Sequence, residues 1–217
     1  RTLPPGVARA GGRALGSMAR ERKAATFAVG RDGRLSGPEL AGALMEGMVA
    51  AGADVIDIGM APTPVTYFSA FHLNCGSCVS VTGSHNPPDY NGLKVVIGGD
   101  TLYGDEIQEV RKRIEGGKFL AGEGRRSSAD VIDAYLGRIT SDVKLARPMR
   151  IAIDCGNGVA GMVAPRLFRA LGCEVEELYC EVDGTFPNHH PDPSVPKNLA
   201  ELIDTVRRGD AELGIAF

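Results

Sequence analysis

The sequence predicts two consecutive α/β domains, each with a β-sheet that is covered by helices on both faces. Segments with helical spacing of apolar residues alternate with short apolar runs along all 217 residues. This alternation is typical of βαβ units. Region 116–128 is rich in Gly, Arg and Ser and lacks either periodicity, so it predicts a domain boundary, with one domain over 1–126 and a second over 127–217.

In the first domain, apolar periodicity and the Gly and Pro residues between the periodic segments define the predicted elements. Pro38, which follows Ser36 and Gly37, fits the first turn of a helix, because an N–H group there has no partner within the helix. The predicted helices are 3–18, 38–48, 62–68 and 103–114, and the predicted strands are 26–29, 54–58, 78–81 and 93–97.

The second domain shows the same alternation. The predicted helices are 129–139, 159–171 and 198–208, and the predicted strands are 149–154, 174–179 and 211–217. The last strand is apolar throughout most of its length, which is typical of a buried strand.

Composition excludes several classes of function. Hydrophobic residues make up 43% of the chain and charged residues 24%, with a net charge of −3, so we expect a globular protein without the basic face that binds nucleic acid. No apolar run is long enough to span a bilayer, and neither a membrane partner nor a secretion signal is predicted. Five scattered cysteines indicate reduced thiols in a cytoplasmic protein. Cys75 and Cys78 have no second cysteine pair to complete a zinc site.

The region between the predicted strands at 78–81 and 93–97 has the composition of a rigid loop. Gly83 permits close approach of the backbone to a ligand, and Pro87 and Pro88 restrict the loop. Asn91-Gly92 is a strong turn signal before the returning strand. Such a loop would hold the hydroxyl of Ser84 in a fixed place, although an ordinary polar hairpin loop has the same kinds of residue.

Serine needs an activating environment to act as a nucleophile. His85 is adjacent to Ser84, and Lys94 interrupts the apolar run of the returning strand, so its ammonium group is expected to face a cleft. A phosphorylated serine would carry roughly −1.5 to −2 charges. Lysine, histidine and loop amides suit that charge, and Ser84, His85 and Lys94 are therefore the candidate catalytic residues.

Several motifs, taken in order, carry a family resemblance over nearly the whole chain. The run 82–87, Thr-Gly-Ser-His-Asn-Pro, resembles the phosphoserine loop of the α-D-phosphohexomutase superfamily. Its extension 88–94 is similar to the phosphomannomutase/phosphoglucomutase branch. Further matches lie at 30–34 (Gly-Arg-Asp-Gly-Arg), 62–64 (Pro-Thr-Pro), 155–158 (Cys-Gly-Asn-Gly) and 186–193 (Phe-Pro-Asn-His-His-Pro-Asp-Pro).

The resemblance implies two three-layer α/β/α domains with mixed sheets, forming the first half of a four-domain enzyme. It implies that Ser84 carries the transferable phosphoryl group, with His85 and Lys94 beside it. Hexose 1-phosphate and hexose 6-phosphate of mannose or glucose would interconvert through glucose 1,6-bisphosphate or its mannose counterpart. Mg²⁺ would be bound by a phosphate oxygen on Ser84 and by three aspartates of a loop after Phe217. The resemblance further implies a monomer and an inactive fragment when those aspartates are absent.

A glycine run supports a rival interpretation. Residues 156–161 fit the pattern G-x-G-x-x-G after a predicted strand, and Glu174 and Glu176 follow at about the distance of a ribose-binding acid. The chain could therefore be a dinucleotide-dependent oxidoreductase domain, whereas the resemblance assigns these glycines to tight packing. A non-catalytic phosphosugar-binding module is a third hypothesis.

Two further groups of polar residues have open roles at this stage. Arg31 and Arg34 follow a predicted strand, where they would either support the serine loop or be solvated. His189, His190 and Asp192 are metal-ligand types on a proline-rich loop, and adjacent histidines rarely converge on one ion. We expect these three residues to serve loop structure.

Overall fold

The structure is a computed structural model that describes residues 3–217. It divides into two compact units. The first unit comprises residues up to 32 together with 36–83 and 89–131, and the second comprises 33–35, 84–88 and 132–217. Within the described range, no helix combines the length and the apolarity needed to cross a bilayer.

The first unit alternates helices and strands. Its elements, in chain order, are α1 (Pro5–Glu21), β1 (Thr26–Arg31), α2 (Gly37–Ala50), β2 (Asp54–Met60), α3 (Thr63–His72), β3 (Gly76–Val81), β4 (Leu93–Ile97), β5 (Asp100–Thr101), α4 (Asp105–Gly116) and β6 (Arg126–Ser128).

The strands of the first unit form one mixed sheet in the order β5-β4-β3-β1-β2-β6. β1 pairs in parallel with β2 and β3, whereas β4 is antiparallel to β3. Phe27 and Val29 of β1 lie in the core formed with α1 and α2. Gly30 lies on the opposite face of the strand, toward Thr66 of α3. Because side chains alternate along a strand, both faces of the sheet are covered.

Helices α1 and α2 pack with their backbones in direct contact. A methyl group on Gly12 would overlap the carbonyl oxygen of Leu44, and one on Gly47 would overlap the carbonyl oxygen of Arg9. Gly11, in contrast, has no atom of a neighbouring element within 4 Å of the place where its Cβ would lie. The helix pair therefore requires glycine at 12 and 47 but not at 11.

The second unit repeats the three-layer arrangement on a smaller sheet. Its elements are α5 (Ile132–Asp142), β7 (Arg150–Asp154), a 3₁₀ turn (Val159–Met162), α6 (Ala164–Ala170), β8 (Glu174–Leu178), a 3₁₀ turn (Pro196–Leu199), α7 (Ala200–Arg208) and β9 (Leu213–Ala216). The three strands are parallel, in the order β8-β7-β9.

The central strand of this sheet has a helix on each side. Ile151 and Ile153 of β7 share a core with Ala164 and Phe168 of α6. On β9, a side chain at Gly214 would contact Leu202 and Val206 of α7, so α7 lies against the sheet on that side. The predicted arrangement of a sheet with helices on both faces is observed in this unit as well.

The structure corrects two predicted elements. The helix predicted over 159–171 is a 3₁₀ turn followed by a separate helix, α6, which has Pro165 in its first turn. A proline there lacks the N–H group that a continuous helix would need. Region 116–128, predicted as an irregular boundary, ends in β6, which extends the sheet of the first unit beside β2.

The glycine contact between α1 and α2 leads to a stability prediction. Gly12→Ala is expected to lower the free energy of unfolding by about 1–3 kcal/mol, because the methyl group forces the two backbones apart. The matched variant Gly11→Ala is expected to raise it by about 0.5–1 kcal/mol, since alanine is the better helix former. Urea unfolding followed by circular dichroism measures both changes. Equal effects of the two variants would contradict the close approach at Gly12.

Candidate functional site

The sheet topology brings two loops together. β1 and β3 are adjacent and parallel, with Arg31 paired to Val81 at their last residues. The chain segments that follow these strands therefore leave the same edge of the sheet. In open α/β sheets the carboxyl edge is where ligand sites lie.

The serine loop, residues 82–92, is closed at its base by hydrogen bonds. The backbone N–H of Thr82 donates to the carbonyl oxygen of Gly92 at 3.0 Å. The Asp32 carboxylate accepts the N–H of Gly83 at 3.1 Å. The side-chain oxygen of Asn91 accepts the N–H of Gly92 at 2.9 Å. The two ends of the loop are thus fixed to each other and to the segment after β1.

Arg34 holds the tip of the serine loop. Its side chain is only 2% exposed, and its guanidinium donates to the carbonyl oxygens of Ser84 and Asn86, both at 2.8 Å, and to that of Pro87. The same group lies 5.3 Å from the centre of the Phe186 ring, within the range of a cation–π contact. Of the two roles open for Arg34 in the sequence, the geometry supports loop anchoring.

Ser84 has an unusual backbone conformation at the exposed tip of this loop. Its φ angle is +51°, in the left-handed region that costs a residue other than glycine roughly 1–2 kcal/mol. Such strain persists where the surroundings hold it, and it is concentrated at functional sites. Here Arg34 holds the Ser84 carbonyl oxygen.

His85 and the loop around residue 190 hold each other. Nδ1 of His85 lies 2.7 Å from the carbonyl oxygen of Pro191, and Nε2 of His190 lies 2.7 Å from the carbonyl oxygen of His85. A carbonyl oxygen only accepts hydrogen bonds, so each of these ring nitrogens carries a hydrogen. In neutral His85 the acceptor nitrogen is then Nε2.

A buried carboxylate supports that loop from behind. Asp154, 1% exposed at the end of β7, accepts from Nε2 of His189 at 2.9 Å and from the N–H of Gly156 at 2.8 Å. Nδ1 of His189 faces the carbonyl oxygen of His190 at 3.0 Å. Both ring nitrogens of His189 thus face acceptor oxygens, which fix the orientation of the ring.

Asp192 adds a negative charge beside the same rings. Its carboxylate accepts hydrogen bonds from the hydroxyl of Ser194 at 2.6 Å and from its N–H at 2.9 Å. These bonds, with smaller contributions from His85 and His190, lower the pKa of the Asp192 carboxyl. The group is therefore ionised at neutral pH.

Lys94 lies in the first unit, whereas Ser84 and His85 belong to the second. It is exposed on β4 and pairs in register with Ser80. Its neighbour Val95 is buried in the core with α1 and α2. The cleft expected for its ammonium group and its place beside Ser84 stay predictions.

The two units match the two domain models of one family. The description "Phosphoglucomutase/phosphomannomutase, alpha/beta/alpha domain I" matches residues 1–121, and the corresponding domain II matches residues 132–217. The chain belongs to the phosphoglucomutase/phosphomannomutase family. The resemblance and the fold class predicted from the sequence are thereby confirmed.

Individual relatives agree with this assignment. The chain is 53% identical over 206 residues to a phosphomannomutase/phosphoglucomutase of Pseudomonas aeruginosa, covering 95% of this chain and 44% of the relative. It is 50% identical over 219 residues to a phosphoglucomutase of Neisseria meningitidis serogroup A, covering 100% and 48%. A crystal structure of a family protein from Burkholderia thailandensis superposes with a TM-score of 0.95 at 51% identity, covering 100% and 49%. The chain thus spans about half the length of these relatives.

The backbone N–H groups of the glycine run form hydrogen bonds within the protein. The N–H groups of Gly156, Asn157, Gly158 and Gly161 donate to Asp154, to the Tyr179 carbonyl, to the Cys155 carbonyl and to the Gly158 carbonyl. A side chain at Gly161 would overlap the carbonyl oxygen of Cys180. These amides are not presented to a pyrophosphate, and the motif is explained by packing.

Residues 3–217 do not provide a set of side-chain ligands for the expected Mg²⁺. Within residues 3–217, no group of three or more His, Cys, Asp or Glu side chains is placed to hold a metal ion. Ser84 itself has only a hydroxyl oxygen, and strong oxygen ligands would come from the phosphate once it is phosphorylated. The metal therefore stays a prediction.

Sequence reasoning missed the contacts of His189 and His190. Both were expected to serve loop structure, which they do, but the partners are the buried Asp154 and the carbonyl of His85. Backbone carbonyls have no signature in a sequence. The only available signal was the pair of adjacent histidines in the resembling motif at 186–193.

The anchoring role of Arg34 can be tested directly. Arg34→Met is expected to lower the free energy of unfolding by about 1–3 kcal/mol, because the loop carbonyls lose a charged donor. It is also expected to speed amide hydrogen exchange at Ser84, His85 and Asn86, the residues of 84–88 that carry a backbone N–H. Arg34→Lys should give an intermediate result, since an ammonium group cannot span three carbonyls as a guanidinium does.

The control for this experiment is Arg111→Met. Arg111 is 69% exposed in its side chain and pairs with Glu115 one turn away, so the change is expected to stay within about 0.5 kcal/mol. Unchanged exchange at residues 84–86 in Arg34→Met would contradict the anchoring role.

Proposed function

We propose that this chain is the phosphoserine-bearing half of an intramolecular phosphotransferase that interconverts hexose 1-phosphate and hexose 6-phosphate. Ser84 carries the phosphoryl group. The observation that supports this most strongly is the strained, exposed Ser84, whose own carbonyl and those of Asn86 and Pro87 are held by one buried guanidinium. Membership of the phosphoglucomutase/phosphomannomutase family supports the same reaction.

The reaction consists of two phosphoryl transfers. In the first, a free hydroxyl of the hexose monophosphate attacks the phosphorus on Ser84, a P–O bond forms to the sugar, and the bond to Oγ breaks. The hydroxyl proton passes to a base, and Oγ of Ser84 gains a proton. The bisphosphorylated sugar turns around, and its other phosphoryl group returns to Ser84 by the same bond changes in reverse.

Phosphoryl transfer depends on positioning and on stabilising charge at the transferred group. The fixed loop supplies the positioning, because Arg34 holds the backbone carbonyl of Ser84 and so fixes the place from which the hydroxyl is presented. His85, with Nδ1 engaged by Pro191, has Nε2 to accept or donate the proton. Lys94 supplies a positive charge toward the phosphate oxygens.

Cofactors and partners follow from the same proposal. Mg²⁺ is the metal of the phosphorylated enzyme, and glucose 1,6-bisphosphate is the intermediate and activator. The ligands are hexose phosphates of mannose or glucose, and the protein acts as a cytoplasmic monomer. The chain by itself is proposed to be inactive, because it spans about half of its relatives.

Neither alternative has an observation that favours it. A dinucleotide site would need free amides in the glycine run, and those of Gly156, Asn157, Gly158 and Gly161 are bonded within the protein. A non-catalytic phosphosugar-binding module would bind the bisphosphate without becoming phosphorylated. That difference is measurable.

Labelling distinguishes a transferase from a binding module. The full-length protein, given Mg²⁺ and glucose 1,6-bisphosphate with a radioactive phosphate, is expected to acquire label on Ser84. Ser84→Ala should abolish the label and lower kcat by several orders of magnitude, because no other residue can carry the phosphoryl group. Ser141→Ala, at an exposed helical position, is the control and should behave as the parent. A parent protein that binds the sugar and stays unlabelled would refute the proposal.

His190 is proposed to be a positioning residue, since it acts through the carbonyl of His85. His190→Ala is expected to lower kcat about tenfold with little change in KM, which corresponds to the loss of one hydrogen bond in the transition state. His190→Gln, which keeps an N–H donor, should recover part of the rate. His72→Ala, an exposed histidine at the end of α3, is the control. A purely structural role would leave kcat unchanged in the folded His190→Ala protein.

A further inference from the structure

Two cysteines from neighbouring strands of the second unit meet side by side. Cys155 directly follows β7 and Cys180 lies two residues beyond β8, and these strands are paired up to Asp154 and Leu178. The two sulfur atoms are 3.5 Å apart. Neither thiol has a part in the proposed phosphoryl transfer.

The two thiols differ in their access to solvent. Cys155 is 1% exposed and lies in the core with Ile153 and Ala164. Cys180 is half-buried. Of the two residues, Cys180 is therefore the one nearer to solvent, and Cys155 lies in an apolar environment.

We propose that Cys155 and Cys180 form a modification site at which a peroxide converts the two thiols into an intrachain disulfide. The disulfide would be reversible by a dithiol reductant. A disulfide bond requires about 2.05 Å between the sulfurs. The pair must therefore close by roughly 1.5 Å from the observed separation, a movement within reach of side-chain rotation and a small shift of the loop at Cys180.

The peroxide is the two-electron oxidant of this step. The Cys180 thiolate attacks one peroxide oxygen, the O–O bond breaks, and hydroxide leaves, which gives a sulfenic acid on Cys180. The Cys155 sulfur then attacks that sulfur, the S–S bond forms, the S–O bond breaks, and water leaves with the Cys155 proton. The hydroxide takes up the proton that the Cys180 thiol lost on forming the thiolate. Two thiols thus lose two electrons and two protons, and the peroxide is reduced to two molecules of water.

The surroundings of the two thiols indicate which one reacts first with the peroxide. The hydrogen bond between the two thiols lowers the pKa of Cys180, and the same bond together with burial raises the pKa of Cys155. Because the thiolate is the reactive form, Cys180 reacts first and Cys155 resolves the intermediate. Burial raises the pKa of Cys78 to about 12 and also raises that of Cys75, so that pair is expected to be inert.

The site adjoins the loop that holds His85. The residue after Cys155 is Gly156, where a side chain would contact Pro191 and His189. Pro191 is the carbonyl partner of the His85 ring. The disulfide chemistry itself does not depend on the proposed function.

The test is to oxidise the folded protein and map its thiols. Hydrogen peroxide is added in small excess, free thiols are blocked with N-ethylmaleimide, and the product is digested and analysed by mass spectrometry. Trypsin alone leaves Cys173 and Cys180 in one peptide, residues 170–197, so a glutamate-specific protease is added to separate them. The expected product is a cross-linked pair of peptides containing Cys155 and Cys180 that separates on treatment with dithiothreitol.

Single variants test the assigned order. In Cys155→Ser, a 1,3-dione probe is expected to trap a sulfenic acid on Cys180. In Cys180→Ser, Cys155 should stay unmodified. The variant that replaces both Cys75 and Cys78 by Ser should form the disulfide at the parent rate. Circular dichroism confirms that each variant is folded. Two results with the parent protein would overturn the proposal: oxidation of Cys180 without linkage to Cys155, or both thiols remaining reduced.

Discussion

The contact between the buried Arg34 guanidinium and three backbone carbonyls of the serine loop is the constraint on which the candidate site depends. Backbone carbonyls at Ser84, Asn86 and Pro87 face one cation, so the loop folds around that charge rather than around its own side chains. Ser84 can keep its left-handed conformation because Arg34 holds the carbonyl oxygen of the same residue. A charged donor in a buried position makes each of these bonds stronger than one between neutral groups. The serine hydroxyl is therefore presented by a rigid backbone.

A second series of hydrogen bonds reaches the same loop from the sheet of the second unit. Asp154 binds the ring of His189, that ring binds the carbonyl of His190, and the ring of His190 binds the carbonyl of His85. Each link has a carboxylate or carbonyl as acceptor, so the hydrogens on the rings are determined. The protonation of His85 at Nδ1 follows from the same logic, through Pro191. The position of His85 is thus set by a series of hydrogen bonds that begins at Asp154, the buried last residue of β7.

Local sequence signals predicted elements well where one signal acted alone. The strand at 93–97 and the proline-led start of α2 are observed as predicted. The helix expected over 159–171 was wrong because apolar spacing continued across Pro165, and the proline took precedence over the periodicity. The serine loop was identifiable by its Gly, Pro and Asn residues, but its anchor was not. A sequence cannot distinguish a solvated Arg34 from a buried one whose acceptors are backbone oxygens, since that contact depends on the adjacency of β1 and β3.

The glycine run shows why a motif has to be judged by the partners of its backbone groups. A dinucleotide site and this turn both need small residues after a strand, because in both the chain passes close to another group. Here that group is the protein: the Gly161 backbone lies against the Cys180 carbonyl, and the amide of Gly156 binds Asp154. An amide that already donates to a buried carboxylate cannot also bind a phosphate without leaving that carboxylate unpaired, which is costly in a buried site. The same pattern therefore stabilises the strand end that supports His189.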